Sequence, residues 1–298
     1  MLLKGVLIIL LSPVLSTSLY SKKEEKTTDM YNVKRKVFAN GESQIIVYSS
    51  PIVTGFVSPK KGKKVMIDWS KFTMQQIISR VKLNFNRSAR RSKNTVWDIA
   101  LSNTWEWFVT LTFNPEKVDS FNYEECTKKL SKWLNNARTK CGEDFMYIMI
   151  PELHKSGRFH FHGLLSNADA LRFVDSGHKM NEDIIYNIGS YKLGFTTATK
   201  VKDTLLVGKY IAKYITKELT ACTKGKRRYW ASRNCFRPEV EYVYASKDKH
   251  LEIHDNFIEN RNLTYLKEQE KYNPDGTLGY IRYYNFSQGG NEIDKDNS

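Results

Sequence analysis

The sequence predicts an α+β protein built on an antiparallel sheet with helices on one face. Three observations carry that expectation. Residues Trp107-Phe-Val-Thr-Leu-Thr-Phe113 form an apolar-rich strand-like run that Asn114-Pro115 breaks. Between Tyr123 and Lys140, residues Cys126, Leu130, Trp133, Leu134 and Ala137 recur at helical spacing as one apolar stripe. Two further strand-like runs flank Lys155-Ser156-Gly157, a three-residue hairpin turn with glycine at the left-handed position.

Taken in order, residues 1–29 start with Met1-Leu-Leu-Lys4 and the apolar run Gly5 to Leu11, with Ser16-Thr-Ser18 as a signal-like cleavage site. The uncharged stretch from Gly5 to Ser21 is interrupted by Pro13 and is marginal for crossing a bilayer. Met30 starts a more ordinary polar sequence, so these residues read as an extension upstream of the true start, or else as a membrane tether. Residues 30–104 are a basic N-terminal region with strand-like runs at 43–50 and 65–69 and one or two basic helices from Phe72 to Asn103. Residues 105–245 hold the strand, helix and hairpin above. A Gly-rich excursion follows from Ser166 to Ser190, then a strand near 195–201 and a helix over 204–219 with Asp203 as its N-cap. The order is β-α-β-β-β-α. Residues 246–298 form a C-terminal region that ends in a polar tail, 288–298, expected to be disordered.

The hairpin carries chemistry. His160 and His162 flank one aromatic residue, so in a strand both imidazoles project from the same face. If the turn closes on Lys155-Ser156-Gly157, His154 pairs with Arg158 and Glu152 falls opposite His160. Two imidazoles and one carboxylate then share a face, a divalent-metal set of Glu152, His160 and His162, with His154 on the same face as an alternative or outer ligand. Two histidines and a carboxylate also describe a non-haem iron site, but that reading leaves the tyrosines downstream unexplained. On the 204–219 helix, Tyr210, Lys213, Tyr214 and Lys217 recur at i, i+3, i+4 and i+7. A phenol titrates near pH ~10 and needs help to act as a nucleophile. A lysine one turn on stabilises the phenolate, and a metal polarises the phosphate attacked.

These residues resemble the motifs of the HUH endonucleases, and more closely the rolling-circle replication initiators of single-stranded DNA phages and plasmids. Trp107 to Phe113 resembles the first motif, Pro151-Glu-x-His-x-x-Gly-x-x-His-x-His-Gly163 the second, and Tyr210-x-x-Lys-Tyr-x-x-Lys217 the third. The resemblance spans about residues 75–245 and implies a ferredoxin-like or RNA-recognition-like core. It also implies a Mg²⁺- or Mn²⁺-dependent nick of single-stranded origin DNA through a 5′-phosphotyrosine, with Tyr210 placed first because it fills the slot nearest the helix start, and Tyr214 fitting that slot equally well. A single-tyrosine HUH transposase, a non-enzymatic basic DNA-binding protein and a secreted metalloenzyme are the alternatives.

Composition agrees with a polyanionic partner. The chain has 47 Lys plus Arg against 32 Asp plus Glu, a net charge of +15, and the excess is clustered at Lys60 to Lys64, Arg87 to Lys93 and Lys224 to Arg228. Arg227, Arg228, Tyr229 and Trp230 interleave cations with rings, as single-stranded DNA binding asks. The four cysteines, Cys126, Cys141, Cys222 and Cys235, show no Cys-x-x-Cys spacing, which argues against a zinc ribbon or a disulfide framework and fits a reducing, cytoplasmic setting. No Gly-x-x-x-x-Gly-Lys-Ser/Thr loop occurs, so unwinding is expected from a host helicase and extension from a host polymerase. No small-molecule cofactor and no membrane partner is expected.

Overall fold

The computed structural model describes residues 30–53, 72–223, 225–260, 262–272 and 277–287. Residues 1–29, the Lys60 to Lys64 cluster, the strand-like run at 65–69 and the tail 288–298 lie outside them. In chain order the elements are strands β1 (Met30–Val37) and β2 (Ser43–Val53), helix α1 (Met74–Leu101), β3 (Trp107–Leu111), α2 (Tyr123–Cys141), β4 (Met146–Leu153), β5 (Phe159–Ser166), β6 (Phe173–Met180), β7 (Asp183–Ile188), β8 (Thr196–Lys200), α3 (Thr204–Ala212), α4 (Lys217–Cys222), β9 (Trp230–Ala231), β10 (Glu239–Val243), α5 (Lys247–Ile258), β11 (Leu263–Tyr272) and β12 (Leu278–Phe286). The protein is α+β, with two antiparallel sheets.

The chain divides into two compact units. One combines residues 1–66 with 238–298, and its described part is a five-stranded sheet ordered β10-β1-β2-β12-β11. Val33, Ile45, Val47, Tyr284 and Phe286 from this sheet bury against Ile253 and Phe257 of α5. Asn32 ties its β1 end by donating from Nδ2 to the Ala245 carbonyl at 2.6 Å and accepting from the Ala245 amide at 2.8 Å.

The second unit, residues 67–237, holds a seven-stranded sheet ordered β6-β7-β8-β3-β5-β4-β9. Central β3 alternates buried and half-buried residues (Trp107, Val109 and Leu111 against Phe108 and Thr110), so one face is core and the other is partly open. Helix α2 is capped by Asn122, whose side chain accepts from the Glu125 amide, and it buries Cys126, Leu130, Trp133, Leu134 and Ala137, the predicted stripe. Each large side chain of that stripe contributes roughly 1.5–3 kcal/mol on burial. Helix α1 starts with a capping box between Thr73 and Gln76, and its charged run Arg87, Arg90, Arg91 and Lys93 is exposed to solvent.

Three sequence expectations need correction. Helices lie on both faces of this sheet, not on one. Tyr123 of α2 packs edge-on against Phe159, while Tyr210 of α3 packs edge-on against Phe108. Phe159 shares a face with Phe161 and hence with Leu111, and Phe108 lies on the opposite one. The excursion after Ser166 is a β-hairpin, β6–β7, whose mostly exposed residues carry little hydrophobic alternation. The single helix expected over 204–219 is two. After Ala212 the backbone tightens, with amides of Lys213, Tyr214 and Ile215 each bonding three residues back at 3.3 Å, and Thr216 then caps α4 by accepting from the Leu219 amide at 3.1 Å. Among the described residues no helix is long and apolar enough to cross a membrane.

Candidate active site

The β4–β5 hairpin has the register read from the sequence. Glu152 pairs with His160 and Ile150 with His162, the His154 amide donates to the Arg158 carbonyl at 2.9 Å, and Gly157 adopts φ +83°. That positive φ is what the turn requires of glycine. Gly163, next to His162, serves packing instead: a Cβ there would stand 2.0 Å from Met149 Sδ, so the glycine lets Met149 fill the core behind the hairpin.

Strand β3 supplies what holds the imidazoles. Thr110 pairs with His162, and its Oγ1 lies 3.1 Å from His162 Nδ1. One step on, Thr112 Oγ1 lies 3.2 Å from His160 Nδ1. Continuing the ladder places Phe195, Thr112, His160 and Glu152 in one row across four strands, because the Thr112 amide donates to the Phe195 carbonyl at 2.9 Å. A second row holds Thr197, Thr110, His162 and Ile150. The threonine roles were missed from sequence, since a threonine in a strand reads as ordinary β propensity. Phe195, 78% exposed at the end of the first row, was missed as well.

His162 is buried, and its Nε2 stands 2.7 Å from Glu152 Oε2. Desolvation pushes its pKa below the ordinary imidazole value against the pull of Glu152. His160 shifts the same way, from desolvation first and then from its neighbour His154. In neutral His162 the bond to Glu152 places the proton on Nε2, so Nδ1 accepts from the Thr110 hydroxyl. A hydroxyl can donate or accept, so Thr110 also suits the other tautomer, in which Nε2 carries a free lone pair for a cation. Among the described residues no three His, Cys, Asp or Glu side chains already converge tightly enough to hold a metal. What is assembled is the pair His162–Glu152, with His160 one position along and directly opposite Glu152. The donor chemistry of two neutral imidazoles and a carboxylate suits a divalent cation. His154 lies beside His160, with ring centroids 5.2 Å apart, and bonds Ser156 through Nδ1 at 3.0 Å.

The tyrosines meet this face. Tyr214 stacks on His162 with centroids 3.7 Å apart and planes 10° from parallel, and Tyr210 stands edge-on to Tyr214 at 5.5 Å. The Lys213 ammonium sits 3.3 Å above the Tyr210 ring and 5.2 Å from that of Tyr214. The two phenols differ in exposure: Tyr210 is 44% exposed and Tyr214 7%. Burial raises the Tyr214 pKa strongly, and a hydrogen bond between the two phenols raises it further. Lys217 starts α4, beyond the helix break, and its side chain lies outside the described part of the structure.

The predicted DNA-binding run is not drawn into this cluster. Arg227 and the half-buried Arg228 and Tyr229 lie at the β9 edge of the sheet. Trp230 is 7% exposed and packs edge-on against Phe161, on the face away from the histidines. Its ring is core, a correction to the base-stacking role expected of it.

Residues 106–219 match the family model of the replication-associated protein ORF2 type. The match supports a replication initiator. It covers well under half of the 298-residue chain and runs from the residue before β3 into α4, enclosing the hairpin and both tyrosines. No curated protein and no solved structure matches the chain.

Proposed function

We propose that the protein initiates rolling-circle replication by nicking single-stranded origin DNA through a tyrosine and rejoining the strands, on an HUH-type core. The observation that supports this most is the stack of Tyr214 on His162. Two motifs some fifty residues apart in sequence meet on one sheet face, with nucleophile-type and ligand-type side chains in contact. The replication-associated family match supports the same biological role.

In this reading Glu152, His160 and His162 hold Mg²⁺ or Mn²⁺. When bound, the cation would withdraw charge from the phosphate oxygens and so favour attack on phosphorus. The chain's own residues do the rest. Thr110 and Thr112 fix the two imidazoles through Nδ1. Tyr210, the exposed phenol, gives up its proton as its oxygen bonds to phosphorus. The P–O3′ bond breaks, and the leaving 3′ oxygen takes a proton to become a free hydroxyl that a host polymerase extends. The 5′-phosphate stays on tyrosine as a phosphodiester of similar energy, so rejoining needs no nucleotide. The Lys213 ammonium at the Tyr210 ring lowers the cost of the developing negative charge. Phe195 offers a bare ring in the row of Thr112 and His160, where a base beside the scissile phosphate can stack. Tyr214 is positioned to act in a second cut once DNA binding has opened the bond between the phenols.

The test is a denaturing gel of the full chain with Mn²⁺ and single-stranded oligonucleotides from the intergenic regions of the source genome. A covalent protein–DNA band, absent with EDTA and in the Tyr210→Phe/Tyr214→Phe variant, is expected. DNA binding with no adduct on any strand would favour a non-catalytic DNA-binding protein instead.

A further inference from the structure

At the β9 edge of the seven-stranded sheet, a cleft of about 890 Å³ is lined by Ser92 of α1, Asn135 and Arg138 of α2, Tyr147 of β4 and much of the segment from Lys226 to Arg237. Its wall carries six cations (Arg138, Lys226, Arg227, Arg228, Arg233 and Arg237) and no carboxylate. Two of them are drawn to acids outside the wall, Arg138 to Glu143 and Lys226 to Glu124, in solvent-exposed pairs that neutralise little. Arg228 is fixed by neutral groups: its Nε donates to Thr223 Oγ1 at 3.1 Å and its Nη1 to Ser88 Oγ at 2.6 Å. That guanidinium is held in place with its charge intact. Arg227, Arg233 and Arg237 have no carboxylate within ion-pair distance among the described residues. A concave wall of one sign focuses its field on an incoming polyanion.

The rings nearby are not stacking platforms. Trp230 is core, Tyr147 packs against Phe145 with centroids 5.6 Å apart, and Tyr229 packs against the same core. The cleft therefore offers contacts for phosphates and few for bases. Its place also separates it from the cutting face. Tyr147 precedes Glu152 by five residues on β4, roughly 17 Å along a strand, and strand alternation puts it on the opposite side of the sheet.

We propose that this cleft grips the sugar-phosphate backbone of DNA extending beyond the cutting face, without regard to sequence. The proposal rests on the DNA-acting reading above but not on its nicking chemistry.

The experiment measures binding of the full chain to fluorescent 20-nucleotide probes: two single strands of unrelated sequence and one duplex. All titrations contain EDTA, so no cutting intervenes, and are repeated across a range of NaCl. Arg233 and Arg237 are exposed, so replacing them carries little folding cost. Arg233→Ala/Arg237→Ala should weaken both single strands equally, by about tenfold, and lower the slope of log affinity against log salt by about 1.4. Arg233→Lys/Arg237→Lys should retain most of the affinity, because the phosphate responds to charge, and Tyr229→Leu should change it little. The duplex arm shows which form of DNA the cleft holds, and loss on the duplex with none on the single strands would overturn the proposal. So would unchanged affinity and slope, a loss confined to one sequence, or a Tyr229→Leu loss as large as that of the arginine pair. Adduct formation at saturating DNA should be unaffected in the alanine pair. If the parent protein forms no adduct at all, nicking fails while the binding result still decides the cleft.

Discussion

Tyr214 lies flat on His162 at 3.7 Å, and the same imidazole contacts Glu152 and Thr110 through its two nitrogens. One histidine is thus shared by the ligand-type cluster and the phenol pair. The neighbouring phenol, Tyr210, is the one open to solvent. Tyr210→Phe should reduce the first cleavage by at least about a thousandfold, the scale of losing a nucleophile, with the fold unchanged. Tyr214→Phe should keep the stack and the first cut while losing the second cut and joining. Adduct gels on single-site and two-site oligonucleotides separate these outcomes, and a normal first cut by Tyr210→Phe reverses the order.

Thr110→Val and Thr112→Val each remove a hydroxyl from an imidazole Nδ1 while keeping the strand's β-branched shape. Each should weaken Mn²⁺ binding by about 10–100-fold, the usual effect of losing an outer-shell partner. Calorimetric titration with Mn²⁺ in the absence of DNA reads this directly. Affinity unchanged in both variants would remove the threonines from the site.

Gly194 controls the approach of the chain to Thr112. A Cβ at residue 194 would stand 2.2 Å from the Thr112 carbonyl oxygen and 2.5 Å from the Asn114 nitrogen, both backbone atoms that cannot swing aside. Gly194→Ala should displace the end of β3, lower the melting temperature and cut nicking more than DNA binding. Parent-like melting and nicking would show that the strands part without consequence.

The two hairpin histidines also set a pH dependence. Both have folded pKa values below the ordinary 6.5, chiefly through desolvation. In the window between 6.5 and those lower values the unfolded chain binds more protons than the folded one, so stability falls as pH falls and is fully present above 6.5. Thermal melts from about pH 8 to about pH 5 should show that fall, and His162→Gln should make it shallower. An equally steep fall in the variant would assign the acid sensitivity elsewhere, with His250 and His254 of the other unit shifted the same way.

What the sequence disclosed was local. The register of Glu152 against His160 follows from a three-residue turn with Gly157 at positive φ, and the α2 stripe from its own spacing. What it concealed was either non-local or ambiguous in composition. Thr216 could continue a helix or cap a new one, and the close packing behind it decides; a Cβ on Gly208 would already touch Ala100 and Leu101 of α1. Trp230 sits beside arginines in sequence, yet its ring is claimed by Phe161 about seventy residues away. The β2–β12 pairing joins residues more than 200 apart, for which no local signal exists.

That last pairing orders events at the ribosome. Residues 67–237 are complete when β10, α5 and β12 have yet to be made, whereas β1 and β2 emerge first and must wait for them. At about 5–20 residues per second the interval from residue 238 to the end of β12 lasts a few seconds. During it the nascent chain holds a finished seven-stranded sheet while the five-stranded one is incomplete, its early strands left with unpaired edges. Messages truncated near codon 238 should therefore yield a folded nicking unit carrying an aggregation-prone N-terminal strand pair.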